Sequence, residues 1–183
     1  MKKTLLLVSI ILLAACASSQ KTVNTTSKPK AVKNADGNLV GYAVKDDFKQ
    51  EPYGSEWFND YYAYYETDKN TIENLKPLLE NITIKGFMGT WCDDSKRETP
   101  NFYKIIDEVG FNYNNLDFVT VNRDKKANGI EKGYHIERVP TFIFYKNGKE
   151  IGRFVEHTVD GATLEHDILQ IVAQKGYKHA YEK

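Results

Sequence analysis

Sulfur is scarce in this chain. Its 183 residues hold two cysteines, Cys16 and Cys92, and two methionines, so no disulfide framework can brace the fold. A structural zinc cluster is excluded on the same ground, because one free thiol cannot complete it and His135, His157, His166 and His179 lack ligand spacing. No cofactor and no metal are implied. Charge of one sign is also missing: 25 basic side chains stand against 25 acidic ones, and without a basic patch there is no footprint for nucleic acid. Nor is there an apolar run long enough to cross a bilayer, which takes about 18 residues. The longest, Leu5 to Leu13, is broken by Ser9.

What stands at the N-terminus is short and ordered in a telling way. Lys2 and Lys3 form a positive n-region, Leu5 to Leu13 an apolar h-region, and Leu13-Ala14-Ala15-Cys16 closes the segment, so residues 1–15 read as a signal peptide. The closing tetrapeptide resembles the bacterial lipobox. That resemblance implies cleavage before Cys16, a lipid-modified Cys16 as anchor, and stable attachment through several acyl chains. Ala17, Ser18, Ser19 and Gln20 follow without an aspartate, which in similar lipoproteins implies delivery to the outer membrane of a bacterial envelope; the expected face, which the sequence itself does not fix, is the periplasmic one. Residues 16–35 are rich in Ser, Thr, Asn, Gln and Lys and read as a flexible tether.

Residues 36–81 read as an N-terminal extension. Asp36-Gly37-Asn38 signals a turn into a short strand or hairpin over 39–44. Between Ser55 and Tyr65 the spacing of Trp57, Tyr61, Tyr64 and Tyr65 predicts one helical face, with Ser55 as N-cap. That face either packs on a sheet or binds a peptide. Asn70 is a candidate cap for a helix over 71–80, whose apolar side is Ile72, Leu75, Leu78 and Leu79, with Pro77 bending it.

From 82 to 183 the period changes. Ile82 to Met88 reads as a strand ending at a Gly89-Thr90-Trp91-Cys92 turn; a helix follows from about Asp94, burying Phe102, Ile105, Ile106 and Val109 and stopping at Gly110. Leu116 to Val121 predicts a strand, Ala127 to Tyr134 a short helix, and Thr141 to Tyr145 a strand. Asn147-Gly148 is a tight turn into Glu150 to Val155, and Gly161 to Gln174 is a last helix. This order implies a mixed α/β sheet with helices on both faces.

Three landmarks in register identify a resemblance to the thioredoxin superfamily from about Ile82 to Gln174: Trp91-Cys92 at the end of the first core strand, Pro100 eight residues after the cysteine, and Val139-Pro140-Thr141-Phe142 before the third strand. From Trp57 onward the chain also resembles lipoprotein-type thioredoxin domains of Bacteroidetes. The resemblance implies a thioredoxin-like fold, a cis Pro140, and a Val139 backbone that pairs with an extended substrate. Ser95 stands where thioredoxins carry the resolving cysteine, and Gly86 where they often bury an acid.

Cys92 at a strand-to-helix junction meets unpaired N–H groups and the helix dipole, which favour its thiolate. Asp93 and Asp94 oppose that, and Lys96 and Arg97 offset part of the opposition. A serine hydroxyl cannot resolve a mixed disulfide, because its oxygen stays protonated. The candidate site is thus catalytic Cys92 supported by Trp91, Asp93, Asp94, Ser95, Val139 and Pro140. Two readings stay open. In one, Cys92 acts on thiols or disulfides of exported proteins as a monothiol isomerase or reductase, Ser95 donating to the sulfur and a second thiol, from substrate, a small molecule or an upstream reductase, releasing the product. In the other, the fold is a non-catalytic binding module for an envelope protein. A peroxidase pattern is not formed by Thr99 with Arg97 or Arg123, and the Asp46-Asp47 and Asp93-Asp94 pairs read as solvated faces, the second adjoining the thiol with selection of substrate charge as its alternative role.

Overall fold

The computed structural model describes residues 28–182; the signal segment, Cys16 and most of the tether lie outside the described residues. Among the described residues β1 (Val32–Lys33), β2 (Leu39–Tyr42), β3 (Ile82–Met88), β4 (Leu116–Thr120), β5 (Thr141–Lys146) and β6 (Lys149–Val155) form a six-stranded mixed sheet in the order β1-β2-β4-β3-β5-β6, whose central strands carry short runs buried on both faces. β3 and β4 run parallel, whereas β3 meets β5 and β5 meets β6 antiparallel. Asn147 and Gly148 both take positive φ, 52° and 76°, which a two-residue hairpin turn requires.

Residues 28–35, read as the end of the tether, are partly enlisted in the sheet. Val32 and Lys33 pair with Val40 and Leu39, and Lys28 forms an ion pair with Asp117. Backbone hydrogen bonding overrides a polar composition here, since an edge strand needs no buried side chains.

Among the described residues five α-helices, Lys45–Lys49 (α1), Asn59–Tyr64 (α2), Lys69–Leu79 (α3), Asp93–Glu108 (α4) and Leu164–Val172 (α5), feed one core. On the sheet face carrying Ile82, Ile84, Met88, Phe118, Phe142 and Phe144, they bury Phe48, Leu75, Phe102, Ile105 and Ile168 among others. Each such side chain contributes about 1.5–3 kcal/mol by leaving water. The opposite face, with Phe87, Val119 and Ile143, is covered by residues of the 122–139 segment, including Ala127, Ile130, Tyr134 and Ile136. Both faces are therefore covered, but the short helix expected over 127–134 does not form. Gly129 and Gly133 take positive φ, and the Glu131 carboxylate accepts from the Ala127 and Gly129 N–H groups at 2.9 Å each, so side-chain capping replaces a helical ladder.

The aromatic helix is also turned from its expected face. A π-helical turn, Gly54–Phe58, precedes α2, and its wider period buries Tyr53, Trp57 and Phe58 while Tyr61 and Tyr64 stay exposed. Ser55 is not the N-cap; its hydroxyl bonds Glu51. The buried ring of Phe58 packs against Phe48 and Tyr103, so this stripe serves the core through Phe58 and Trp57, not through Tyr61 and Tyr64. In α3 the cap is Asp68, whose carboxylate accepts from the Thr71 N–H at 2.8 Å, and not Asn70. Asp47 likewise is no solvated acid: it accepts from the Val44 N–H at 2.9 Å and caps α1.

Candidate active site

β3 delivers the chain to the site, and the turn 89–91 converts strand into helix. A Cβ on Gly89 would fall 2.5 Å from the Trp91 ring, so the absence of a side chain there lets the indole fold back over the turn. Trp91 Nε1 donates to the Val121 carbonyl at 3.0 Å, and the guanidinium of Arg123 stands over its ring at 5.3 Å. From the extension, the Leu39 N–H donates to Thr90 Oγ1 at 3.2 Å. Neither Arg123 nor Leu39 carries a local signal of belonging to the site; only the sheet order brings them there.

Cys92 is the N-cap of α4, with extended φ −100° and ψ 125°. Its N–H donates to the Gly89 carbonyl and its own carbonyl accepts from the Lys96 N–H, both at 3.0 Å. The half-buried sulfur thus stands where the helix leaves N–H groups unpaired. Sγ donates to the Val139 carbonyl at 3.2 Å, and the Val139–Pro140 peptide bond is cis. The two segments singled out in the sequence therefore meet through their reactive atoms.

The flanking groups divide. Asp93 is almost wholly exposed, with Lys96 at 3.4 Å. Arg97 pairs with Asp94 at 2.7 Å and Glu98 at 2.8 Å, so these cations are engaged by the neighbouring acids. Burial pushes the Glu98 carboxyl up, against the opposing hydrogen bond from Arg97. Ser95 is fully buried, and its Oγ accepts from the Gly89 N–H at 3.2 Å. The hydroxyl expected to donate to sulfur braces the turn instead. Behind the site, a Cβ on Gly86 would meet the Phe118 ring at 2.4 Å, so an aromatic ring fills the space an acid would need. Among the described residues no group of three or more His, Cys, Asp and Glu could hold a metal ion.

The thioredoxin family model matches residues 66–173, which span both Trp91–Ser95 and Val139–Pro140. The chain belongs to the thioredoxin family. Among its relatives, a thioredoxin-like protein of Acanthamoeba polyphaga mimivirus is 32% identical over 57% of this chain and 80% of its own length. The thioredoxin of Gallus gallus is 31% identical over 44% of this chain and 71% of its own length. Among solved structures, a Pseudomonas aeruginosa protein of unknown function is 15% identical, covering 65% of this chain and 80% of that one at a TM-score of 0.46. As a thioredoxin-family protein the chain has thiol–disulfide function of the thioredoxin kind in general, directed at protein thiols and disulfides.

Proposed function

We propose that this thioredoxin-family protein is a lipid-anchored, single-cysteine thiol–disulfide oxidoreductase or isomerase of a bacterial cell envelope, acting on exported proteins. The observation that carries the mechanism is the placement of Cys92 Sγ at the α4 N-terminus, 3.2 Å from the Val139 carbonyl, while the hydroxyl of Ser95 is buried against Gly89. One sulfur faces the substrate loop, and the position that would resolve it is an alcohol.

In this reading the Cys92 thiolate attacks one sulfur of a substrate disulfide. A sulfur–sulfur bond forms to Cys92, the substrate disulfide breaks, and the other substrate sulfur leaves as a thiolate, taking a proton from water. A second thiol then attacks the substrate sulfur in the mixed disulfide and releases Cys92 as thiolate. If that thiol belongs to the same substrate, the disulfide has moved with no net redox change. If two small-molecule thiols act in succession, the substrate is reduced and they leave as their own disulfide. The lipobox-like Leu13-Ala14-Ala15-Cys16 supports a lipid anchor, and the absence of an aspartate directly after Cys16 supports the outer membrane as its place.

The test is refolding of a scrambled disulfide protein in the presence of a small thiol, with the wild-type chain beside Cys92→Ala. A rate that depends on Cys92 supports exchange chemistry, and equal rates overturn it in favour of a binding module. Partners trapped on Cys92 as reducible mixed disulfides should be exported proteins. For the anchor, Cys16→Ala should move the protein from the membrane to the soluble fraction, and continued membrane attachment would refute that part.

A further inference from the structure

The family match ends at residue 173, yet the residues that follow turn back to the substrate loop. Gln174 and Gly176 take positive φ, 53° and 73°, and reverse the chain after α5. Tyr177 then pins it, its hydroxyl donating to Asp167 Oδ2 at 3.2 Å. Four residues on, Tyr181 reaches the loop that carries the cis proline. The Arg138 guanidinium stands over its ring at 3.9 Å, His157 meets the ring edge at 5.5 Å, and its hydroxyl donates to Glu156.

These contacts close a circuit on the site. Arg138 Nη1 also pairs with Glu156 at 3.1 Å, the Glu156 N–H donates to the Pro140 carbonyl at 2.7 Å, and Thr141 Oγ1 donates to the Arg138 carbonyl at 2.8 Å. Between Arg138 and Pro140 lies Val139, whose carbonyl holds the Cys92 thiol. The Tyr181 hydroxyl is held above its ordinary range first by the bond to Glu156, with the Asp94 carboxylate adding to the same field. Tyr181 thus lies against the end of β6 and the loop that carries Pro140. A cavity of about 290 Å³, lined by His135, Arg138, Arg153, Val155, His179 and Tyr181 among others, opens beside it.

We propose that Tyr181 is a positioning residue: its ring and hydroxyl lock Arg138 to Glu156 and so hold the Val139 backbone in place for an incoming substrate chain. This rests on the proposed role of Val139 in pairing with substrate. The effect belongs to extended substrates, because a small disulfide attacks the sulfur without using the loop.

The experiment compares the full chain in detergent with Tyr181→Ala and Tyr181→Phe, using a peptide disulfide with several residues on each side of its cysteine and, separately, hydroxyethyl disulfide. Tyr181→Ala should raise KM for the peptide by about tenfold at a kcat within about twofold, the size expected for losing one ring–guanidinium contact and one charge-assisted bond. Tyr181→Phe keeps the ring over Arg138 and should raise KM by about twofold, and hydroxyethyl disulfide should react alike with all three proteins. Equal losses on both disulfides, an unchanged peptide KM, or a Phe variant as impaired as the Ala variant would each overturn the proposal. If the wild-type chain reacts with neither disulfide, the proposed chemistry of Cys92 has failed, and hydrogen exchange then decides this proposal alone. Tyr181→Ala should speed exchange of the Glu156 amide by about tenfold while leaving β3 unchanged, and equal protection there would overturn it.

Discussion

The Cys92 thiol donates to the carbonyl of Val139, 3.2 Å away and 47 positions later in the chain. The proton of this sulfur therefore points at the loop that carries the cis proline and away from Ser95, which is occupied with Gly89. Among the described residues no second thiol stands ready to resolve a mixed disulfide on Cys92, and in the proposed mechanism that thiol comes from outside.

That arrangement makes Ser95→Cys informative. A thiol placed there lies in the first turn of the same helix, three residues from Cys92, as in the family's dithiol sites, and should close a disulfide on mild oxidation. Thiol titration before and after oxidation checks it: the oxidised variant should lose its reactive Cys92, and the wild type should keep it. Because Ser95 is fully buried, retention of a reactive thiol in the variant would show that the turn holds position 95 away from the sulfur.

The missing acid yields a stability prediction. Gly86→Ala puts a Cβ 2.4 Å from the Phe118 ring, and overpacking of this kind costs about 1–3 kcal/mol. Phe118→Leu in the same chain should recover about half of that loss, because the two positions share one space. Urea unfolding of the single and double variants measures both, and strict additivity of the two losses would contradict the shared-space account.

Asp107 joins the N-terminal extension to the active-site helix. Its carboxylate takes Lys45 from α1, the Tyr62 hydroxyl at 2.6 Å and the Tyr113 hydroxyl at 2.6 Å. Burial alone would raise its pKa, but these three partners together hold it below the ordinary 3.8. A carboxyl depressed by folding adds stability above its unfolded value and loses it as pH falls through the folded one. Asp107→Asn should therefore cost about 1 kcal/mol near neutral pH, discounted for partial exposure. The gap should close below pH 3.8, and stability curves taken across that range check both its size and its sign. A gap that widened in acid would refute the linkage.

Much of the site was legible before any coordinates. Trp91-Cys92, Pro100 and Val139-Pro140 sit at fixed positions relative to strands that stand out as short apolar runs, and each of the core strands from Ile82 onward lies within a residue or two of the range its pattern predicts. Other features were hidden by physics that acts over short or very long range. The aromatic helix presents another face than its spacing predicts because a π-turn at Gly54 adds a residue to the period; a Cβ at that glycine would lie 2.3 Å from the Lys49 carbonyl oxygen. The segment 127–134 carries helical spacing, yet Glu131 caps its N–H groups before a ladder can form.

The sequence by itself determined that Cys92 stands at a strand-to-helix junction, because strand and helix periodicity are local properties of the chain, and the register of Cys92, Pro100 and Pro140 carried the resemblance to thioredoxins. Only the tertiary structure decided what surrounds that sulfur: Val139 within reach of the thiol, Ser95 turned to Gly89, Phe118 in the space beside Gly86, and Tyr181 returned to Arg138. Those contacts join residues far apart in the chain, and their geometry is set by how the sheet and helices pack, which no spacing of residue types records.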